Sequence, residues 1–270
     1  MTKQAECVAF ANFKGGTGKT TSCLSVAGYL AKAGFQVLVV DFDPQANATS
    51  GLGIDGTTLQ HSLYDVILEQ CQPGTGVTIS QIIVETEVKN LHLAPSHLDL
   101  GAAQVLMQQN SDRVGILNQI LEKISDFYDY ILIDVAPDTG LLMLNSLRSA
   151  RQVIVPLDPS IFALEALENL QSYCQDIEKM TVHKFKKITI LLTRVIERHF
   201  ICRLIQKYQP YQQIEAKLRE DFSAVFVIPE SAKVYEAQRL GIPISHFAPH
   251  SKIGKAYEQL AEHIQLVISH

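Results

Sequence analysis

Residues Phe13-Lys14-Gly15-Gly16-Thr17-Gly18-Lys19-Thr20-Thr21 follow an apolar run, Cys7-Val8-Ala9-Phe10, and precede a helical pattern, Leu24-Ser25-Val26-Ala27-Gly28-Tyr29-Leu30. A strand, a glycine-rich loop and a helix in that order are the context that a phosphate-binding loop needs. The glycines let successive backbone N–H groups turn inward around an anion, and the helix N-terminus adds the positive end of its dipole. Lys19 is then placed to neutralise the β- and γ-phosphates of a nucleotide, and the Thr20 hydroxyl to ligate Mg²⁺. The generic pattern G-x-x-x-x-G-K-[ST] is met in its second half only, because Phe13 stands at its first glycine. Gly15 and Gly16 supply the flexibility instead. The expected nucleotide contacts are therefore Gly15, Gly16, Thr17, Gly18, Lys19, Thr20 and Thr21.

Apolar runs rich in Val and Ile recur at residues 6–12, 36–41, 90–94, 130–135, 152–157, 188–193 and 225–228, and helical patterns at 112–124, 164–180 and 199–220. Several runs are apolar throughout, as in a parallel sheet covered on both faces. The alternation predicts an α/β fold, a doubly wound, mostly parallel sheet with helices on both faces. Ligands then sit at the carboxyl ends of the strands. The 270 residues fit one domain spanning 1–270, and Gln72-Pro73-Gly74-Thr75-Gly76 reads as a surface turn.

Two of those strand ends carry carboxylates. The second run ends in Val40-Asp41-Phe42-Asp43-Pro44-Gln45-Ala46-Asn47-Ala48-Thr49, where alternation puts Asp41 and Asp43 on one side of the strand. The run Tyr130-Ile131-Leu132-Ile133-Asp134 ends in a single carboxylate, the generic Walker B pattern that holds Mg²⁺ through water.

Lys14 is a second lysine beside Lys19, and one chain needs only Lys19 to hold its nucleotide. The K-G-G-x-G-K-[ST] form resembles the deviant Walker A of the ParA/Min family of P-loop ATPases. The segment from Asp41 to Thr49 resembles that family's D-x-D-P-Q-x-N-x-T/S. The stretch Leu192-Thr193-Arg194-Val195-Ile196-Glu197-Arg198 is similar to its [NT]-x-x-x-x-R. Ile228, Pro229, Glu236, Ala237, Gly241, Pro243 and Ile244 match its I-P-R-N…E-A-x-x-x-G-x-P-I run. Three departures stand out: Ala136 replaces one proline after Asp134, and Glu230 and Ser231 replace the usual Arg and Asn. The resemblance runs from Val8 to about Val267.

The resemblance implies an ATP-bound homodimer with ATP/ADP and Mg²⁺ as cofactors. In it Lys14 would reach the partner's γ-phosphate, and Asp43 would orient the attacking water. Lys14, Lys19 and Asp43 would form the catalytic set, Thr20, Asp134 and Asp43 the metal site, and Arg198 and Pro229 the approach to adenine. Hydrolysis would be slow and stimulated by a ParB-like or cargo-adaptor protein.

Sister branches lack their marks here. No cysteine falls between Cys71 and Cys174 for an iron–sulfur cluster, and no C-x-x-C occurs. The stretch 253–267 is not the basic membrane-binding helix of the Min branch. Twelve residues before Phe13 leave no room for an N-terminal helix-turn-helix. No [NT]-K-x-D follows the late strands, which disfavours GTP. The five scattered cysteines suit reduced thiols in a cytoplasm. No run approaches the ~20 apolar residues of a membrane span.

Net charge is −5, yet residues 179–220 hold ten Lys/Arg and three Asp/Glu, leaving 13 basic and 25 acidic residues elsewhere. Such a block suits a polyanion. Arg194, Arg198, Arg203, Lys207, Lys217 and Arg219 are its candidate contacts to non-specific DNA. The chain therefore reads as a ParA/Soj-type ATPase that coats DNA and positions a plasmid, a chromosome or a protein assembly. The alternative is an ATP-switched regulator that acts on a protein or membrane-associated partner without DNA.

Overall fold

The structure, a computed structural model, describes residues 4–160, 163–196 and 210–266. Eight strands form one sheet, in chain order β1 (Glu6–Phe10), β2 (Val37–Phe42), β3 (Val84–Glu85), β4 (Leu91–Ala94), β5 (Tyr130–Val135), β6 (Gln152–Leu157), β7 (Lys187–Val195) and β8 (Val225–Pro229). Their spatial order is β3-β4-β2-β5-β1-β6-β7-β8, parallel throughout except for the edge pair β3–β4. All seven expected strands are present. The eighth, β3, has two residues and so carries no readable alternation.

Helices among the described residues are α1 (Lys19–Lys32), α2 (Asn47–Gly51), α3 (Leu63–Cys71), α4 (Ile79–Ile82), α5 (Leu100–Gln108), α6 (Ile116–Glu122), α7 (Leu141–Ser149), α8 (Ala163–Met180), α9 (Pro210–Asp221), α10 (Lys233–Leu240), α11 (Ile244–Phe247) and α12 (Lys252–Leu266). They split the core into two layers. Val8, Phe10, Val37, Val39 and Leu132 pack with Val26 and Leu30 of α1 and with Tyr257 and Leu260 of α12. Their neighbours Ala9, Leu38, Val40, Ile131 and Ile133 face the opposite way, onto Leu63, Leu117, Leu142 and Leu167. Each central strand is thus buried on both sides, which is why its sequence reads as a continuous apolar run.

Two helical expectations differ in extent. The pattern at 112–124 yields a helix only from Ile116. The Asn110 side chain accepts from Asp112 N at 2.9 Å, and that local turn competes with the first helical turn. Of the pattern at 199–220, the described residues give α9 from Pro210, a residue suited to a first helical turn. The remainder lies outside the described residues.

Sheet order places the chemistry. The order of winding reverses at β1, with all these strands parallel: β2, β4 and β5 lie to one side, β6, β7 and β8 to the other. The carboxyl ends of β1, β2, β5, β6, β7 and β8 therefore open onto one edge, where ligands of such sheets bind.

Candidate active site

The loop between β1 and α1 is shaped by its glycines. Gly18 caps α1 in the left-handed region (φ 89°), and Gly16 has φ 72°. A Cβ added at Gly15 or Gly16 would meet nothing within 4 Å, so the space over the loop is open. Gly18 gives α1 no side-chain cap, and its first turn holds no acidic residue. The first N–H groups of a helix lack intrahelical acceptors, so this end offers donors and a positive dipole to an anion. Above it lies a cavity of about 440 Å³ lined by Gly16, Gly18, Lys19, Thr20, Thr21, Asp43 and Arg194, among others.

The two loop lysines occupy different places. Lys19 is buried, and its Nζ donates to Lys14 O at 3.1 Å. Burial lowers its pKa, while the charges of Asp134, Asp43 and Asp138 oppose that shift. Lys14 stands at the rim with its side chain 44% exposed, and its Nζ donates to Asp158 Oδ2 at 2.7 Å. Asn12 braces the turn: its side chain accepts from Lys14 N at 2.9 Å and donates to Pro156 O at 2.6 Å.

The three strand-end carboxylates converge opposite the loop. Asp41 and Asp134 are register partners on β2 and β5, and Phe10 pairs with Asp134 from β1. Asp41 Oδ2 accepts from Thr49 N and Thr49 Oγ1, both at 2.7 Å. Burial pushes the Asp41 carboxyl up to about 7, with the Asp43 charge adding to the shift. Burial, then the charge of Asp41, raises Asp134 well above its ordinary value, opposed by the nearby Thr20 hydroxyl and Lys19. Yet both Asp134 oxygens and Asp41 Oδ1 are buried without a hydrogen-bond partner of good geometry among the described residues. Buried carboxylate oxygens in that condition are costly unless a cation meets them. A divalent ion beside Thr20 and Asp134 answers that need, so the residues fit magnesium. No cluster of three or more His, Cys, Asp or Glu suited to a metal occurs among the described residues. Mg²⁺ bound with phosphates requires only one or two carboxylates. Asp43 is also buried; its Oδ1 accepts from Gln45 N at 2.9 Å, which fixes the turn after β2.

A second cavity of about 300 Å³ adjoins the first. It is lined by Gly18, Thr21, Thr193, Arg194, Ile228, Pro229, Glu230, Ser231, Val234, Tyr235, Gln238, Ile253 and Tyr257. Its lining mixes buried Ile228, Ile253 and Tyr257 with exposed Arg194, Glu230 and Gln238, a combination that can take a planar base. Pro229, Glu230 and Ser231 all reach it. Arg198, Arg203 and Lys207 lie outside the described residues.

Asp158 and Gln238 were not among the expected site residues, while Thr193 and Arg194, both in a segment matched above, take places that the match did not specify. Asp158 follows β6 and meets Lys14; its signal was a carboxylate just past an apolar strand, the position that singled out Asp134. Thr193 Oγ1 donates to Thr17 O at 2.7 Å and to Leu157 O at 3.2 Å, tying β7 to the loop. Gln238 Nε2 donates to Thr21 Oγ1 at 3.0 Å. Arg194 lines both cavities, whereas the other described candidates for polyanion contact, Lys217 and Arg219, are on α9. Arg219 is ion-paired there with Glu215 at 2.8 Å.

Comparison with known proteins agrees with this arrangement. The chain matches the family described as AAA domain over residues 5–188. It is 32% identical to the sporulation initiation inhibitor protein Soj of Bacillus subtilis over 257 residues, covering 95% of this chain and 97% of that protein. It is 34% identical to the chromosome-partitioning ATPase Soj of Treponema pallidum over 258 residues, covering 95% and 96%. Among solved structures it superposes on cobyrinic acid a,c-diamide synthase from Mycobacterium smegmatis, crystallised with an ATP analogue and magnesium. The TM-score is 0.78 at 26% identity over 97% of this chain and 94% of that one. With its fold, its loop and its relatives in agreement, the chain belongs to the ParA/Soj family of P-loop ATPases.

Proposed function

We propose that this protein is a magnesium-dependent ATPase, a single domain over 1–270, that cycles between an ADP-bound monomer and an ATP-sandwich homodimer. The observation that carries the reading is the division of labour between the two loop lysines. Lys19 is buried in the cradle, where it serves its own nucleotide; Lys14 stands at the rim, where a second copy can be met. Backbone N–H groups from Gly15 to Thr21 hold the phosphates, and the pocket at Pro229 takes the base. Thr20 and Asp134 hold Mg²⁺, with Asp43 near, and the ion neutralises charge on the phosphates when bound. Asp43 orients the attacking water, and Lys14 of the partner copy approaches the terminal phosphate.

The partition relatives support a further step: the ATP-bound dimer binds DNA without sequence preference, and a ParB-like or cargo-adaptor protein stimulates hydrolysis in the cytoplasm. The basic block is the physical support. Lys217 and Arg219 are exposed on α9, and a dimer presents two copies of them. One observation favours the alternative of an ATP switch that reads a protein partner. Lys179, Lys184 and Lys186 of the block pair with Asp176, Glu178 and Glu6, and Arg219 pairs with Glu215. The pair with buried Glu6 holds Lys186 in place, whereas the more exposed pairs of Lys179, Lys184 and Arg219 are weak and exchangeable, so phosphates can displace them. Mobility shift of random duplex with ATP or ADP decides. DNA binding is supported by a shift at low salt that requires ATP, and the protein-partner reading by no shift in either state.

A further inference from the structure

The two cavities of the site meet at four shared residues, Gly18, Thr21, Arg194 and Gln238. A nucleotide with its phosphates over the loop and its base against Pro229 must cross that junction. Of the four, only Arg194 carries a charge.

The backbone is built to bring it there. β7 and β8 are in register at Leu192–Val227 and again at Val195–Pro229, so β7 holds one extra residue between the two pairs. Such a bulge bends the strand and re-aims a side chain. Arg194 sits in it at φ 56°, a left-handed conformation that non-glycine residues seldom take. The strain persists because its neighbour is pinned: buried Thr193 bonds to the loop carbonyl of Thr17 and to Leu157 O. Arg194 itself is exposed, and no carboxylate lies within ion-pair distance of it among the described residues.

We infer that Arg194 is a nucleotide-binding residue that grips the phosphate next to the sugar, at the passage between the phosphate and base cavities. A guanidinium is permanently charged and presents a planar fork of donors that matches phosphate oxygens. This rests on the nucleotide reading above and removes Arg194 from the polyanion surface. It also gives this chain a cation where the cradle's own lysines do not reach, since Lys19 points to Lys14 O and Lys14 to Asp158.

Calorimetric titration of ADP, AMP and adenosine into the wild-type chain, Arg194→Ala and Arg194→Gly tests it. Arg194→Gly relieves the positive φ, so its melting temperature should equal or exceed that of the wild type. Both variants should bind ADP and AMP roughly tenfold or more weakly, the scale of a lost charge-assisted bond to phosphate, and adenosine unchanged. Arg194→Lys should recover part of the loss. Equal ADP affinity in the wild type and Arg194→Gly overturns the inference while leaving the nucleotide site in place. Equal losses for adenosine and ADP overturn it too, because the residue would then act on the base. A wild-type chain that binds no ADP overturns the nucleotide reading itself.

Discussion

Lys14 and Lys19 are five positions apart on one loop, yet one is half-exposed at the rim and the other buried in the cradle. The same separation applies to the aspartates. One Asp41 oxygen is committed to Thr49, and neither Asp134 oxygen has a hydrogen-bond partner of good geometry among the described residues. Asp43 holds its turn with one oxygen. Asp43→Ala should therefore lower ATP turnover by roughly 10²–10⁴-fold, the range of a lost water-orienting group. Its nucleotide affinity should change little, because loop and Lys19 are intact. A coupled phosphate-release assay beside a binding titration checks this, and near-normal turnover would move the role to another carboxylate. Asp158→Ala frees Lys14 from a solvent-facing pair worth at most about 1 kcal/mol. Dimerisation with ATP should tighten by up to about fivefold, as read by sedimentation.

At the scale of elements, α1 approaches the start of α11 closely enough that a Cβ at Gly28 would collide with Ser245 and Pro243. Gly28→Ala should cost about 1–3 kcal/mol by overpacking, seen as a lower urea midpoint. The turn after α3 is held differently. Glu69 Oε2 accepts from the N–H groups of Gly74, Thr75 and Gly76 at 2.9, 2.7 and 2.8 Å, which depress the carboxyl from its ordinary 4.5 to about 2. A depressed carboxylate stabilises the fold above its unfolded value and loses that effect as pH falls through the folded one. Glu69→Gln should thus melt below wild type at pH 7, with the gap closing between pH 4.5 and about 2; a constant gap would assign the effect to something other than the charge.

The elements themselves were legible because strands buried on both faces write continuous apolar runs, and because the loop, Asp43 and Asp134 lie in contiguous motifs. Asp158, Gln238 and the placements of Thr193 and Arg194 were not. Their roles arise from sheet order, which brings the ends of β6, β7 and β8 to the loop across 140 residues or more of sequence. The register change that aims Arg194 is a property of the β7–β8 pairing and leaves no mark in the pattern 188–193.

Over the whole molecule, the strand ends and loops on one edge of the sheet form a single face that carries the glycine loop, the aspartates and both cavities, and in the proposed cycle this face holds the nucleotide and meets a second copy. Among the described residues no helix is long and apolar enough to cross a membrane. If the dimer binds duplex, its affinity should fall by about 0.9 log units per neutralised phosphate for each decade of salt. Charge reversal at Lys217 and Arg219 should flatten that slope and leave hydrolysis intact. An unchanged slope would clear α9 of any part in DNA binding. The most direct test of the central claim is light scattering of the wild-type and Lys14→Ala chains with Mg²⁺ and ATP or ADP. The wild type should double in mass with ATP only, and Lys14→Ala should remain a monomer with both. A Lys14→Ala chain that dimerises with ATP as the wild type does would contradict the shared-lysine site.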